Sequence, residues 1–381
     1  MRSSVFFHVA FAVAGVCLMT HAQVSVASEP LVFISAFAPG DQGAIHAYTF
    51  DAKAGTLKLL HRTPDVLNPF FMAITPDHKF LYSIYAPTFG GTEAEQVAAF
   101  RLDGRTGKLS PLNRQSTKGT ASCFLEVDAT GKSVLMANYM TGSVASYAIK
   151  SDGSLSEPVS FVQHVGSSVD ESRQKGPHAH CFVISPNNKF AYAADLGLDQ
   201  ILCYQIDPAT AKLTPNQQSF VRTPPGGGPR HLTFHPNGKW MYVINELKNS
   251  VTLYDYLPDS GILLERTTID TLPADFDGVS NTADLKITPN GKFLYGTNRG
   301  HDSLACYSIG SDGTLSLLEI IPSLGKGPQN LAITSDGATV ICANMAGNNV
   351  AVFRIAEGTG ILKSAGTPIE IPGPSCIRIL E

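Results

Sequence analysis

Four residues in this chain have the types needed to move protons and hold negative charge: His180, Arg230, Glu246 and Arg299. Each stands near one end of an alternating apolar run, in the stretches GPHAHCFVISPNNK, GGGPRHLTFHPNGKWMYVINELKNSV and NTADLKITPNGKFLYGTNRGHDSL. A guanidinium matches carboxylate or phosphate oxygens with two parallel hydrogen bonds, so two arginines near one imidazole suit an anionic substrate. The imidazole titrates near neutral pH and can take or give a proton there. A carboxylate beside the arginines can orient or tune one of them. This chemistry requires a fold that brings three separate segments to one place.

An internal repeat supplies such a fold. One pattern, an apolar start followed three residues later by Tyr or Phe and then by a turn and a Leu, begins at Ile45, Val97, Val144, Ile201, Val251, Leu304 and Val350, at intervals of 46 to 57 residues. Each copy alternates with the period of a strand and carries a hairpin turn. A second hairpin lies between copies. Its turn reads Pro76-Asp77-His78-Lys79, Pro186-Asn187-Asn188-Lys189, Pro236-Asn237-Gly238-Lys239 or Pro289-Asn290-Gly291-Lys292, with variants at Ala129 and Ser335. Pro and Asn-Gly set the dihedrals of a tight turn. Four strands per unit at this period predict an all-β, seven-bladed β-propeller. Leu31–Ala36 reads as a second strand lacking its first, and Ser375–Leu380 as a first strand lacking its second. The N- and C-terminal strands therefore share one blade and close the ring, which removes open sheet edges. Two longer inserts interrupt the pattern, Gly166–Pro177 and Leu272–Ser280.

The topology sorts the polar residues. With strands A to D counted from the axis outward, the A–B turn lies on one rim, so the start of A and the end of B lie on the other. Starts of A are Phe70, Cys123, His180, Arg230, Ala283 and Gln329; ends of B include Asn138, Asp195, Asn245, Glu246, Asn298, Arg299 and Asn344. His180, Arg230, Glu246 and Arg299 thus converge on one concave mouth of the central channel. His178, Asp195, Asn245, Asp284, Asn298 and Gln329 are candidate substrate-binding residues around them. The competing reading is that Asn and Asp ending strand B cap the following loop, and it is preferred for Asn138 and Asn344. Strict alternation turns His231 away from the channel. His235, beside a far-rim turn, is expected at the surface. Gly226-Gly227-Gly228 precedes a strand rather than a helix and reads as a turn, not a phosphate loop. No spacing resembles a zinc site and no serine sits in a nucleophile elbow, so neither metal nor cofactor is expected.

Lys+Arg is 28 against Asp+Glu 32, a net charge of −4, which lacks the basic footprint of a nucleic-acid binder. With 43% hydrophobic and 16% charged residues the chain is globular. Arg2, the apolar run Val5–Met19 and the small residues Ser25 and Ala27 read as a cleavable export signal over residues 1–27, cut before Ser28 or after Ala22. A single propeller domain then fills residues 28–381. No later stretch is long and apolar enough to span a bilayer, so the processed chain is expected free of the membrane, periplasmic or secreted. Six cysteines follow the signal. Export permits disulfides, but all six sit inside apolar runs and read as buried thiols.

In the three stretches quoted above the sequence resembles the seven-bladed β-propeller lactonases, which include one type of bacterial 6-phosphogluconolactonase and fungal carboxymuconate cyclases. The similarity runs from about residue 31 to the end and is most specific at Pro-Arg-His and Asn-Glu-Leu. It implies a metal-free site built from His180, Arg230, Glu246 and Arg299. The expected function is hydrolysis of a sugar lactone, with His180 as general base on water and the two arginines stabilising the oxyanion and an anionic group. Export separates the chain from phosphogluconolactone, which arises in the cytoplasm, and so favours an unphosphorylated aldonolactone or another anionic lactone. The alternatives are cycloisomerisation of a carboxylated muconate and a non-catalytic exported propeller that binds a protein or sugar.

Overall fold

The computed structural model describes Met1, residues 4–8 and residues 29–381. The cleavage sites of the expected export signal lie outside the described residues. From Leu31 onward the alternating runs form seven four-stranded antiparallel sheets arranged as a seven-bladed propeller. The innermost strands, numbered here as blades one to seven, are Met72–Ile74, Ser122–Val127, Ala179–Ile184, Pro229–Phe234, Asn281–Ile287, Pro328–Ile333 and Pro374–Leu380. Within each blade the chain steps outward from strand A to strand D. The seventh blade is the composite one: Pro374–Leu380 pairs antiparallel with Leu31–Ala36, with Leu31 opposite Leu380 and Ile34 opposite Ile377. The Ser35 and Ser375 hydroxyls, 2.9 Å apart, add a polar link across the closure.

Burial follows position in the wedge. Strand B is covered by a neighbouring blade on each face, so Ser133–Asn138 and Phe190–Asp195 are buried at every residue. Strand D has solvent on its outer side, and Leu155–Gln163 alternates between covered and exposed. A buried tyrosine needs a partner for its hydroxyl, and strand B uses this need to bind blade to blade. Tyr82, Tyr192, Tyr242 and Tyr295 donate to the carbonyls of Gly153, Gly261, Gly313 and Gly360, at 2.7–3.0 Å, each in the next blade's outer turn. Gly153 shows why that turn carries glycine. Its φ is +89°, and a Cβ there would lie 2.1 Å from the Phe80 ring.

The A–B turns close as their sequences require. The Asn237 and Asn290 side chains accept from the amides of Lys239 and Lys292 at 2.9 and 3.0 Å. His235 is not on the surface as expected: it is buried against Trp240, and its Nε2 lies 2.9 Å from the Gly291 carbonyl of the next blade. Cys123, Cys181, Cys203, Cys306, Cys342 and Cys376 are all buried free thiols.

One feature recurs at the head of strand A. In blades two, three, four and six the register slips, leaving Cys123, His180, Arg230 and Gln329 without a partner on strand B. In blade four Pro229 faces Asn245 and His231 faces Ile244, with Arg230 between them. These are β-bulges, which bend a strand and re-aim a side chain. Here they turn the extra residue into the channel mouth.

Candidate active site

The bulged residues and the ends of strand B enclose one chamber. Its volume is about 280 Å³, and His180, Arg230, Glu246, Arg299 and Gln329 all line it, with Cys123 and Arg173. The opposite wall is apolar: Phe70 and Phe89 stack at 5.1 Å, with Tyr139 and Met345 beside them. The chamber opens into a vestibule of about 900 Å³ that shares Arg173, Glu246, Arg299 and Gln329 and adds Lys326 and Asn281.

Glu246 is the hub. Arg230 Nε and Arg299 Nη2 each lie 2.9 Å from its Oε2, and Arg173 Nη2 lies 2.7 Å from its Oε1. Burial pushes the Glu246 carboxyl up, but the charges of Arg299 and Arg230 and the hydrogen bond from Arg173 outweigh it and bring it down to about 2. Three guanidiniums against one carboxylate leave the cluster with two positive charges. Arg230 is 1% exposed. Burial and the neighbouring Arg299 lower its pKa to about 10, so it stays charged at neutral pH. Its Nη1 donates to the Ala283 carbonyl, while Nη2 has no protein partner among the described residues and is free for a ligand.

His180 is buried, and burial, Arg230, His231 and Arg299 together hold it well below the ordinary range. It is therefore neutral at pH 7. Its Nδ1 lies 3.7 Å from the Cys123 sulfur, and Nε2 has no protein partner among the described residues. Burial holds the Cys123 thiol protonated, which leaves the imidazole rather than a thiolate as the reactive group on this wall.

The other candidates divide. Gln329 lines both spaces and its Oε1 accepts from Arg299 Nη1 at 3.4 Å. His178 stacks on Tyr139 with ring centroids 4.5 Å apart and supports that wall from behind. Asp195, Asn245 and Asn298 do not reach the substrate space. Asp195 accepts from the amides of His178, Gly197 and Leu198. Asn245 donates to Ser250 and Thr252, and Asn298 to Thr271 and Ser303. Asp195 and Asn298 cap loops, as Asn138 and Asn344 do, because a strand ending in a tight turn leaves backbone groups that a short polar side chain satisfies, whereas Asn245 ties the end of strand B to hydroxyls of the adjacent strand.

Two expectations fail at the bulges. His231 faces the channel, edge-on to His180 at 5.4 Å between centroids, because the extra residue at Arg230 shifts the alternation by one. Asp284 sits in the same inward row. It is fully buried and lines a deeper cavity with His231, not the chamber. Arg173 is a site residue that the repeat pattern does not place: it lies in the Gly166–Pro177 insert, and the length of that insert is its one sequence signal.

The fold and the chamber define a seven-bladed propeller with a cationic cluster of side chains at one mouth of its channel. The chain matches the family described as lactonase, 7-bladed beta-propeller over residues 31–379. It is 31% identical over 351 residues to a 6-phosphogluconolactonase of Bacillus subtilis, covering 92% of this chain and 98% of that one. Identity is also 31% to a 6-phosphogluconolactonase of Formosa agariphila, covering 91% and 99%. A solved periplasmic gluconolactonase of Pseudomonas aeruginosa superposes with a TM-score of 0.87 at 28% identity, covering 93% of this chain and 99% of that one. The chain belongs to the seven-bladed propeller lactonase family and is a hydrolase of the lactonase type.

Proposed function

We propose that this enzyme hydrolyses a sugar lactone carrying negative charge or dense hydroxyl oxygens, with His180 as general base. The reading rests on one observation above all: three arginines meet a single carboxylate where the chamber opens into the vestibule, leaving two positive charges facing the substrate space. In the reaction a water oxygen bonds to the lactone carbonyl carbon and its proton passes to His180 Nε2. The carbonyl becomes an oxyanion held by Arg230 Nη2 and by Arg299. Collapse breaks the bond to the ring oxygen, which takes the proton back from His180, giving a hydroxy acid. Preorganised charge facing a developing oxyanion supplies a large part of such a rate enhancement. Glu246 keeps the guanidiniums fixed, so little reorganisation is needed. The stacked Phe70 and Phe89 offer an apolar wall to the C–H face of a sugar ring.

The processed chain is read as exported, in keeping with the signal pattern and with the periplasmic relative. That favours an unphosphorylated aldonolactone, and the vestibule beside Lys326 leaves room for a longer acid. The test is a panel of plain and phosphorylated sugar lactones, with a carboxylated muconate included, assayed on residues 28–381. Turnover of a sugar lactone supports the reading. Ultraviolet loss of the muconate without lactone turnover would assign the cycloisomerase reaction instead, and no turnover of either would leave a binding protein.

A further inference from the structure

Beneath the chamber floor, His231 and Asp284 form a contact chain that ends on Arg230. His231 Nδ1 lies 2.8 Å from Asp284 Oδ1, and Arg230 Nη1 lies 3.3 Å from His231 Nε2. An ionised carboxylate only accepts, so Nδ1 carries the proton and Nε2 presents its lone pair to the guanidinium. Asp284 is itself fixed from three sides. Lys286 Nζ donates to both its oxygens at 2.8 and 2.9 Å, and Asn330 Nδ2 and the Leu331 amide donate to Oδ2 at 2.7 and 2.9 Å. Burial would raise this carboxyl, but Lys286 and His231 hold it far down, so it is an anion. The chain thus runs from blade six through blade five to blade four, and each member has a partner that dictates its orientation.

We propose that His231, oriented by Asp284, is a positioning residue that aims the free Nη2 of Arg230 at the reacting carbonyl. This deepens the lactonase reading and rests on it for the identity of the carbonyl. Three contacts then define the guanidinium plane: Glu246 on Nε, and the Ala283 carbonyl and His231 on Nη1. Only Nη2 is left to point into the chamber. Removing His231 leaves the plane held only by Glu246 and the Ala283 carbonyl, free to tilt about the line joining those two contacts, and a misaimed donor loses much of its value to an oxyanion. The role requires a neutral ring, because a protonated Nε2 would face Arg230 as a second donor. The charged and titratable groups around the ring are Arg230, Asp284, Lys286 and His180, with Glu126 and Arg378 lining the same cavity. Phe71 and Phe124 pack edge-on against the ring at 6.0 and 5.4 Å.

The experiment compares wild type, H231F and H231Q in kinetics and in binding of 6-phosphogluconate by calorimetry. Phenylalanine keeps the ring volume and deletes the acceptor; glutamine returns an oxygen near the position of Nε2. H231F is expected to lower kcat about 10- to 100-fold, the worth of one hydrogen bond to a charged group, with KM little changed. H231Q is expected to recover most of that loss, which a packing role would not predict. Binding of 6-phosphogluconate should weaken in H231F and recover in H231Q even if the natural lactone is another compound. Wild-type turnover and binding in H231F would overturn the positioning role while leaving the lactonase reading intact. Equal defects in H231F and H231Q would overturn it as well. A wild-type enzyme that binds 6-phosphogluconate but hydrolyses no lactone would count against the reaction alone, and the binding comparison would still decide the role of His231.

Discussion

Arg173 Nη2 and Glu246 Oε1 lie 2.7 Å apart, joining an inserted loop before blade three to the end of strand B in blade four. Arg173 also reaches the Tyr139 hydroxyl at 3.1 Å. The loop is thereby tied across the mouth, and its guanidinium adds the third positive charge.

Because the Arg173 side chain is 35% exposed, its loss should cost the fold little while weakening capture of an anion. Arg173→Ala is expected to raise KM about 10-fold, as for one charge-assisted contact. Its melting temperature should stay within about 3 °C of wild type. Steady-state kinetics and a thermal melt check both halves.

Glu246 should behave in the opposite way. Glu246→Gln removes the only carboxylate among three arginines and leaves buried positive charge unbalanced. Stability is expected to fall by about 3 kcal/mol, as when one partner of a buried ion pair is removed. Urea unfolding at pH 7 measures it. The same substitution should lower turnover sharply, since Arg230 and Arg299 would then repel each other.

The pH dependence follows from the sign of the shifts. His180 must be neutral to accept a proton, and its pKa is held well below 6.5 by burial and then by Arg230, His231 and Arg299. The acid limb of kcat/KM should therefore lie well below pH 6.5. Stability should move in the same window. His231, lowered to about 4 by burial and Arg230, binds its proton more weakly folded than unfolded. Its neutral form supports the fold fully above pH 6.5, and that support is lost as pH falls toward 4. Glu246, at about 2, keeps its charge throughout this range. A pH–rate profile and urea midpoints between pH 4 and 8 test both statements.

The fold was legible because each blade repeats its own turn chemistry, and because the two incomplete ends could pair only with each other. The four principal site residues were legible from topology, since the A–B turn fixes which strand ends share a rim. What alternation could not reveal was the bulge. An unpaired residue at Arg230 turns His231 inward, a separate register shift between Thr282 and Leu285 sets Asp284 beneath the chamber, and nothing in the local residue types announces either. Asp195, Asn245 and Asn298 fit substrate binding or loop capping by type alone; their partners lie in the following turn, in the adjacent strand of the same blade and in the preceding blade, and only three-dimensional contacts choose between the two readings. Arg173 was hidden because an insert has no repeat to place it.

Ring closure carries its own prediction. Deleting Pro374–Glu381 would strip strand A from blade seven and expose the inner edge of Leu31–Ala36. The truncated chain is expected to aggregate or to lose its cooperative melt, as read by light scattering and circular dichroism.

The most direct test of the catalytic account is kcat/KM for a sugar lactone with wild type and His180→Ala, at a pH where spontaneous hydrolysis is slow. General-base catalysis contributes about 10²- to 10⁴-fold, so a loss of at least about 100-fold is predicted, with the fold intact by thermal melt. A His180→Ala enzyme that hydrolyses the lactone at the wild-type rate would contradict the account.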